Sequence, residues 1–426
     1  MISITFLLLL VVIIAMTKAV YGSLRSPIFF YCVIWCIVGA VANLGFYGYY
    51  LPSTLVNIIM FVGIIVFWIV YGVYVNGFAS DFFKKDFEIT ETNINLKSLL
   101  FINIIFLILV IPTLITSIGL IRQYGLWYIR ANASEVYNSG LLATLSDSVI
   151  RPTFISITLI TIISCFCDVP RGQRKLLIVL SVIDNVVMTF QTGGRAAVVN
   201  FVFYMLIALV LFKGESFANL IRTQKKKIIF LIVVFIFILQ LTQMRSTTEL
   251  NRSDFLRTFY TYYFSGPEYL TQLIENVQEY GINGAKFYGA ATFGFITTIF
   301  SDIMILLTGR SQGAAYIISS RIANKQYTVG SGGSLVNAMC TGFYPAIVDW
   351  GYFGIVLGPA VIAIITGIVT RRVYQKTNIF NTCLYIYILY TLFRTVFKYD
   401  LLGIDFSVII LFTYIFTKNP IREMGA

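Results

Sequence analysis

Long, nearly unbroken apolar runs dominate the chain, rather than the alternation of a half-buried strand or the three-to-four spacing of a surface helix. Runs long enough to cross about 30 Å of hydrocarbon occur near 2–20, 28–50, 54–75, 98–118, 151–167, 176–191, 196–212, 228–243, 343–369, 379–397 and 404–418. They predict an all-α, polytopic membrane protein with eleven spans, a single integral membrane domain over residues 1–426. A further apolar stretch, Phe287 to Leu307, is interrupted by Gly289, Gly294 and Asp302 and reads as short surface or re-entrant helices. The longest departure from the pattern is 245–342, an Arg- and Tyr-bearing segment between the eighth and ninth predicted spans.

Composition agrees with this class. Hydrophobic residues make up 58% of the chain and charged residues 12%, and mean hydropathy is +0.84, too apolar for a water-soluble core of this length. The first segment has the look of a signal peptide, but its long apolar core and the basic pair Lys18 and Arg25 fit an uncleaved anchor. Basic residues in short loops favour the cytoplasmic side. The clusters Lys84–Lys85, Arg171–Arg174–Lys175, Lys213 to Lys227 and Arg371–Arg372–Lys376 are separated by even numbers of predicted spans and can all face inward. That parity puts the N-terminus outside, the KNPIRE tail inside, and 119–150, 192–195, 244–342 and 398–403 outside.

The kind of base then differs across the membrane more than the number. The inner side carries 11 Lys and 7 Arg, the outer side 10 Arg and 3 Lys. Lys serves as a topological anchor, whereas the planar guanidinium of Arg suits bidentate phosphate binding. An outward basic loop of this length therefore suggests an anionic, phosphorylated substrate.

Absences narrow the chemistry. The chain has no His, which removes imidazole metal sites, Ser-His-Asp triads and His proton relays. Cys32, Cys36, Cys165, Cys167, Cys340 and Cys383 lie mainly in or at the ends of spans and read as small apolar filler. There is no P-loop and no GxGxxG, so a nucleotide has no visible seat. Residues 80–97 and 213–227 read as solvated cytoplasmic links.

The outward segments hold the candidate chemistry. Thr192-Gly193-Gly194-Arg195 joins two predicted spans, and its glycines together with the next helix's N-terminal amides could receive an anion beside Arg195; an interfacial turn with a snorkelling Arg is the plainer alternative. Arg245, Glu249 and Arg252 are spaced to share a helical face, with Arg257 close by. Phe259, Tyr260, Tyr262, Tyr263 and Phe264 follow, able to stack on sugar rings or to form an interfacial aromatic belt. Thr308-Gly309-Arg310 and Arg321, with Gly332 eleven positions later, pair basic side chains with a close-approach backbone. Asp349, in the segment re-entering the membrane, is expected near the outer surface as a general base, an orienting partner for an Arg, or half of a structural ion pair.

TGGRAA, FYGAATFGFITTIFSDIMILLTGR and NAMCTGFYPAIVDWGYFGIVLG, together with many spans and one dominant external loop, resemble the Wzy-type O-antigen or oligosaccharide repeat-unit polymerases. Motif-level resemblance covers residues 180–370; Arg321 with Gly332 is similar to that family's Arg-x10-Gly loop pattern, which fails from Arg195, Arg245, Arg252, Arg257 and Arg310. The resemblance implies a GT-C-like membrane glycosyltransferase of lipopolysaccharide biosynthesis in the bacterial inner membrane, active face periplasmic. It implies undecaprenyl-pyrophosphate-linked glycans as donor and acceptor and no nucleotide sugar, with chains growing either on a monomer or in complex with a chain-length regulator.

On that reading a sugar hydroxyl attacks the anomeric carbon of the donor and undecaprenyl pyrophosphate leaves. Preorganised guanidinium groups can stabilise the developing charge. Arg195, Arg245, Arg310 and Arg321 are the first candidates. Arg252, Arg257, Tyr260, Tyr263, Glu268, Gly193, Gly194 and Gly332 are expected to bind substrate. The base is sought among Asp349, Glu268 and Asp302, in that order. The reaction is expected to need neither cofactor nor metal, since permanently charged guanidinium can replace one. Asp184, beside Asn185 in the sixth span, is either functional or polar helix–helix glue. An O-antigen ligase and a lipid-linked oligosaccharide flippase or transporter remain as alternatives.

Overall fold

The computed structural model describes residues 1–21, 25–77, 82–83, 87–124, 145–192, 196–213, 229, 255–276, 282–284, 286–308, 313–314, 317–318, 327–331, 333, 335–336 and 339–418. The architecture is all-α apart from one small hairpin. In chain order the helices are α1 (Ile2–Tyr21), α2 (Ile34–Ala42, entered through a π-helical turn at Phe29–Val33), α3 (Thr54–Val75), α4 (Leu96–Tyr124) and α5 (Arg151–Ser164, preceded by a π-helical turn at Ser146–Ile150). They continue with α6 (Arg171–Thr192), α7 (Ala196–Lys213), α8 (Phe255–Phe264), α9 (Gly266–Asn276) and α10 (Gly294–Thr308). After the strands β1 (Tyr327–Thr328) and β2 (Leu335–Val336) come α11 (Tyr344–Trp350), α12 (Gly354–Gln375), α13 (Ile379–Arg394) and α14 (Asp405–Thr417). The strands pair antiparallel, Tyr327 opposite Val336.

Five segments are long and apolar enough to cross a membrane: Ile2–Tyr21, Thr54–Val75, Leu96–Tyr124, Ser146–Ser164 and Tyr344–Gln375. Four other expected spans correspond to shorter apolar helices, α2 with its π-helical turn, α7, α13 and α14. The span expected at 176–191 lies within α6, whose first turn carries Arg171 and Arg174, and 228–243 lies almost wholly outside the described residues. The run expected as one helix over 28–50 stops at Ala42, because Gly45 turns the chain at φ 60° and Gly48 again at φ 74°. The Phe287–Leu307 stretch becomes a series of turns followed by one helix, α10. The run over 343–369 is broken as well: Gly351 takes φ 60°, a short 3₁₀ turn follows, and α12 starts afresh at Gly354. A Cβ at Gly354 would collide with the Ala346 carbonyl, so the close return of the chain requires glycine there.

The chain falls into two compact units: Met1–Lys85, Asp254–Tyr374 and Ile388–Ile404 form the first, and Asp86–Ser253, Gln375–Tyr387 and Asp405–Ala426 the second. In the first, α1 packs on α2, and the core is aromatic. Tyr31 stacks on Phe67 at 4.1 Å and Trp35 lies 4.6 Å from Phe343. Trp35 buries its indole N–H by donating to Thr395 Oγ1 at 2.9 Å, the partner a buried indole needs. In the second unit α5 is the central element, buried from Pro152 to Ser164 and packed by α6, α7 and α14. Its hydroxyls bond back to the preceding turn, Thr153 to Val149 O and Thr161 to Ile157 O, which lets a Ser- and Thr-rich helix sit in an apolar interior. Large apolar side chains stay exposed along α1 (Leu8, Val11), α4 (Phe101, Ile115) and α10 (Phe300, Leu307), faces suited to hydrocarbon rather than water.

Candidate functional site

Polar and strained groups of the first unit meet where its helices give way to turns. The loop after α2 is tied to the β-hairpin: Tyr50 N donates to Val329 O and Ser331 N to Gly48 O, both at 2.9 Å, and Tyr49 hydrogen-bonds Thr261 on α8 through its hydroxyl. The start of α9 lies against the turn after α13, since a Cβ on Gly266 would overlap the Val396 carbonyl. Gly342 N donates to Thr395 O of that same turn, and Tyr399 OH donates to Thr292 O at 2.8 Å. Tyr47, Tyr288 and Thr341 are the non-glycine residues with positive φ among the described residues, and all three belong to this unit. Such conformations cost about 1–3 kcal/mol each and concentrate at functional surfaces.

A charged cluster sits on the turn after α13. Arg394 Nη1 reaches Asp400 Oδ1 at 3.2 Å and Lys398 Nζ reaches the same oxygen at 3.6 Å. Asp400's side chain is 2% exposed, Arg394's 17% and Lys398's 46%. The guanidinium also lies 5.2 Å over the Tyr390 ring and 5.6 Å over Phe397, where cation–π attraction adds to the ion pair. Two cations against one carboxylate leave the cluster with excess positive charge, and Lys398 presents it to the surface. Sequence reasoning counted Arg394 and Lys398 among the outer bases but did not single them out, because the apolar run through 379–397 hid the helix end at Arg394. The exposed aromatics Phe46, Tyr47 and Tyr50 were hidden in the same way inside the run at 28–50; Gly45 and Gly48 were the available signal.

Glu268 lies in the first turn of α9 and is 4% exposed. Gln272 Nε2 donates to its Oε1 at 3.0 Å, while Oε2 is buried with no hydrogen-bond partner among the described residues. Burial pushes its carboxyl up to about 7; the Gln272 hydrogen bond opposes the rise and the charge of Glu275 adds to it.

Asp349, expected as a general base, an orienting partner for an Arg or half of an ion pair, has backbone partners among the described residues. It is fully buried, and its partners are the backbone amides of Ala291 at 3.1 Å and Thr292 at 2.6 Å, one on each carboxylate oxygen. The carboxylate thus holds the turn leading into α10, with no arginine among the described residues sharing the task. Burial raises the Tyr399 hydroxyl above its usual range, with the charge of Asp349 adding to the effect. Tyr260 is buried against Phe46, Tyr47 and Tyr49, donates its hydroxyl to Val41 O at 3.3 Å, and is pushed up to about 12 mainly by burial. Tyr263 is half-buried, 6.2 Å from Phe393 and from Phe397, so it adjoins the Arg394 cluster. Arg257 is half-buried on α8 and Asp302 half-buried on α10. Cys340, buried and pushed up to about 11 by that burial, behaves as apolar filler. Gly193, Gly194, Arg195, Arg245, Arg252, Arg310, Arg321 and Gly332 lie outside the described residues.

The second unit has its own buried polar groups. Asn103 Nδ2 on α4 donates to both carboxylate oxygens of Asp184 on α6 at 2.9 Å, and both residues are fully buried. Thr158, Ser181 and Asn185 join α5 to α6 through hydroxyl and amide hydrogen bonds. Arg151 bridges Asp405 at 3.3 Å and Asp147 at 3.5 Å.

Comparisons with protein-family models, with curated proteins and with solved structures found no match.

Proposed function

We propose that this chain is a membrane glycosyltransferase that polymerises undecaprenyl-pyrophosphate-linked oligosaccharide repeat units into O-antigen or a related surface polysaccharide. The observation that carries the reading is that α8 links the Tyr47–Tyr50 loop, through Tyr49 and Thr261, to the turn bearing Arg394 and Lys398, through Tyr263 and Phe397, all within the first unit. Cations and flat aromatic faces together suit a pyrophosphate attached to sugars. On this reading the chain spans the bacterial inner membrane eleven times in a GT-C-like arrangement, with the turns and the 245–342 loop on the periplasmic side.

The chemistry follows from charge. The acceptor hydroxyl attacks the anomeric carbon, and negative charge accumulates on the departing pyrophosphate. Arg394 and Lys398 supply fixed positive charge at the described site, and Arg195, Arg245, Arg310 and Arg321 are proposed to complete the clamp. Asp349 serves this scheme as the residue that fixes the 291–292 turn.

The polymerase reading is tested by the lipopolysaccharide profile of a deletion strain, with the gene restored as control. Core carrying a single repeat unit, extended to a ladder on complementation, is the expected result. Core without any repeat unit, with glycan accumulating on the lipid carrier, overturns it in favour of a ligase or flippase. One observation favours the transporter alternative: the Asn103–Asp184 pair places an ionisable group inside a helical bundle, as ion-coupled carriers do.

A further inference from the structure

We infer that Glu268 is the group that takes the proton from the attacking sugar hydroxyl, an assignment that rests on the glycosyl-transfer reading above. The sequence Ser265-Gly266-Pro267-Glu268 has the spacing of a capping box, in which the carboxylate would fold back onto the backbone N–H of Ser265. That box is not formed. Ser265 Oγ donates to Thr261 O and faces Met339 Sδ at 3.4 Å, and Glu268 bonds forward to Gln272 instead. Its second oxygen is left buried with no hydrogen-bond partner among the described residues, an arrangement native folds seldom keep without use.

The other acids near these turns have partners. Both oxygens of Asp349 hold backbone amides, and Asp400 is ion-paired through Oδ1 with Arg394 and Lys398, although its Oδ2 is likewise buried with no hydrogen-bond partner among the described residues. Glu275 is exposed on the far end of α9. Glu268, by contrast, lies two residues from Gly266, which abuts the turn carrying Val396 and Lys398. A proton acceptor and the cations proposed for the leaving group are thus borne on adjoining segments.

The electrostatic surroundings leave its proton affinity high. Of the helices packed against α9, α2 and α3 carry no charged residue and α8 carries Arg257 alone. Glu275 repels from α9 itself, and burial dominates, holding the carboxyl at about 7, close to where a general base is most effective. In the step, the acceptor oxygen bonds to the anomeric carbon and the carbon–oxygen bond to pyrophosphate breaks, its electron pair going to the phosphate oxygen. The hydroxyl proton passes to Glu268 Oε2 and later to water.

The experiment uses the full-length protein in nanodiscs with lipid-linked repeat units extracted from the deletion strain, assayed for polymer from pH 5 to 9. Wild type is expected to gain activity as pH rises through about 7. Glu268→Gln should lower kcat by about 10²–10⁴-fold with little change in KM, and Glu268→Asp should recover part of it. Gln272→Met removes the hydrogen bond that favours the carboxylate and should move the acidic limb to higher pH, a shift that a purely structural glutamate would not produce. Wild-type rate and an unchanged acidic limb in Glu268→Gln overturn the assignment, as does an unmoved limb in Gln272→Met if Glu268→Gln does not fold. Absence of polymer from the wild-type protein overturns the glycosyl-transfer reading itself.

Discussion

Asp349 accepts the backbone N–H of Thr292 at 2.6 Å from a position 57 residues further along the chain, and its other oxygen holds Ala291. Asp349→Asn would keep one acceptor and turn an amide N–H₂ toward a backbone N–H. A hydrogen bond to a charged group contributes about 1.5–3 kcal/mol, so Asp349→Asn should destabilise by that amount. Thermal unfolding in detergent measures it; an unchanged melting temperature with lost activity would return Asp349 to the role of base.

Arg394 and Asp400 are not equivalent partners. Removing Arg394 leaves a carboxylate that is 2% exposed with, among the described residues, the 3.6 Å ion pair to Lys398 as its remaining cation, and breaking a buried pair from one side costs about 3–5 kcal/mol. Asp400→Asn leaves the partly exposed cations reachable by water and should cost less. Arg394→Met should therefore melt well below Asp400→Asn, and a reversed order would mean that the cluster is not held together by this charge.

Much of the helical layout was legible because a hydrophobic run needs no partner to be recognised. Residues 54–75 form α3 as expected, and 2–20 extends by one residue to Tyr21. The errors came where apolar character continues past the helix. Phe46, Tyr47, Tyr49 and Tyr50 kept the second run going beyond Ala42, although Gly45 and Gly48 redirect the backbone. Pairings were less legible still: Asp349 with Thr292, or Asn103 with Asp184 across 81 residues, depends on which helices pack together, which periodicity alone does not encode. The burial of Glu268 and its hydrogen bond from Gln272 are likewise not visible in a sequence.

Asp184 has one described side-chain partner, the amide of Asn103. Asn103→Leu would leave the carboxylate buried beside an apolar group. The expected loss is about 3 kcal/mol or more, since an unsatisfied buried charge costs more than a neutral group. Asn103→Leu combined with Asp184→Leu removes both polar groups and should recover much of the loss. Thermal unfolding of the two variants decides this, and equal melting temperatures would mean that the pair is not coupled.

A reaction clamped by guanidinium and ammonium groups has no requirement for a divalent cation. Polymerisation by the purified protein should therefore persist in excess chelator at the untreated rate. Loss of activity in chelator followed by recovery with Mg²⁺ would contradict this and give the metal the role assigned to the basic cluster.

Glu268 also links stability to pH. In the folded chain its carboxyl retains the proton up to about 7, whereas the ordinary value is 4.5. Between those values the native state binds more protons than the unfolded one, so the stability it contributes is fully present below pH 4.5 and is lost as pH rises toward 7. With about 1.36 kcal/mol per unit, the loss from this group is on the order of 3 kcal/mol. Glu268→Gln carries a neutral side chain at every pH and should lack that decline, becoming more stable than wild type above pH 7. Melting curves from pH 4 to 8 test this directly. Parallel curves for the two proteins would mean that Glu268 ionises near its ordinary value, and its buried oxygen would then have to be solvated in solution.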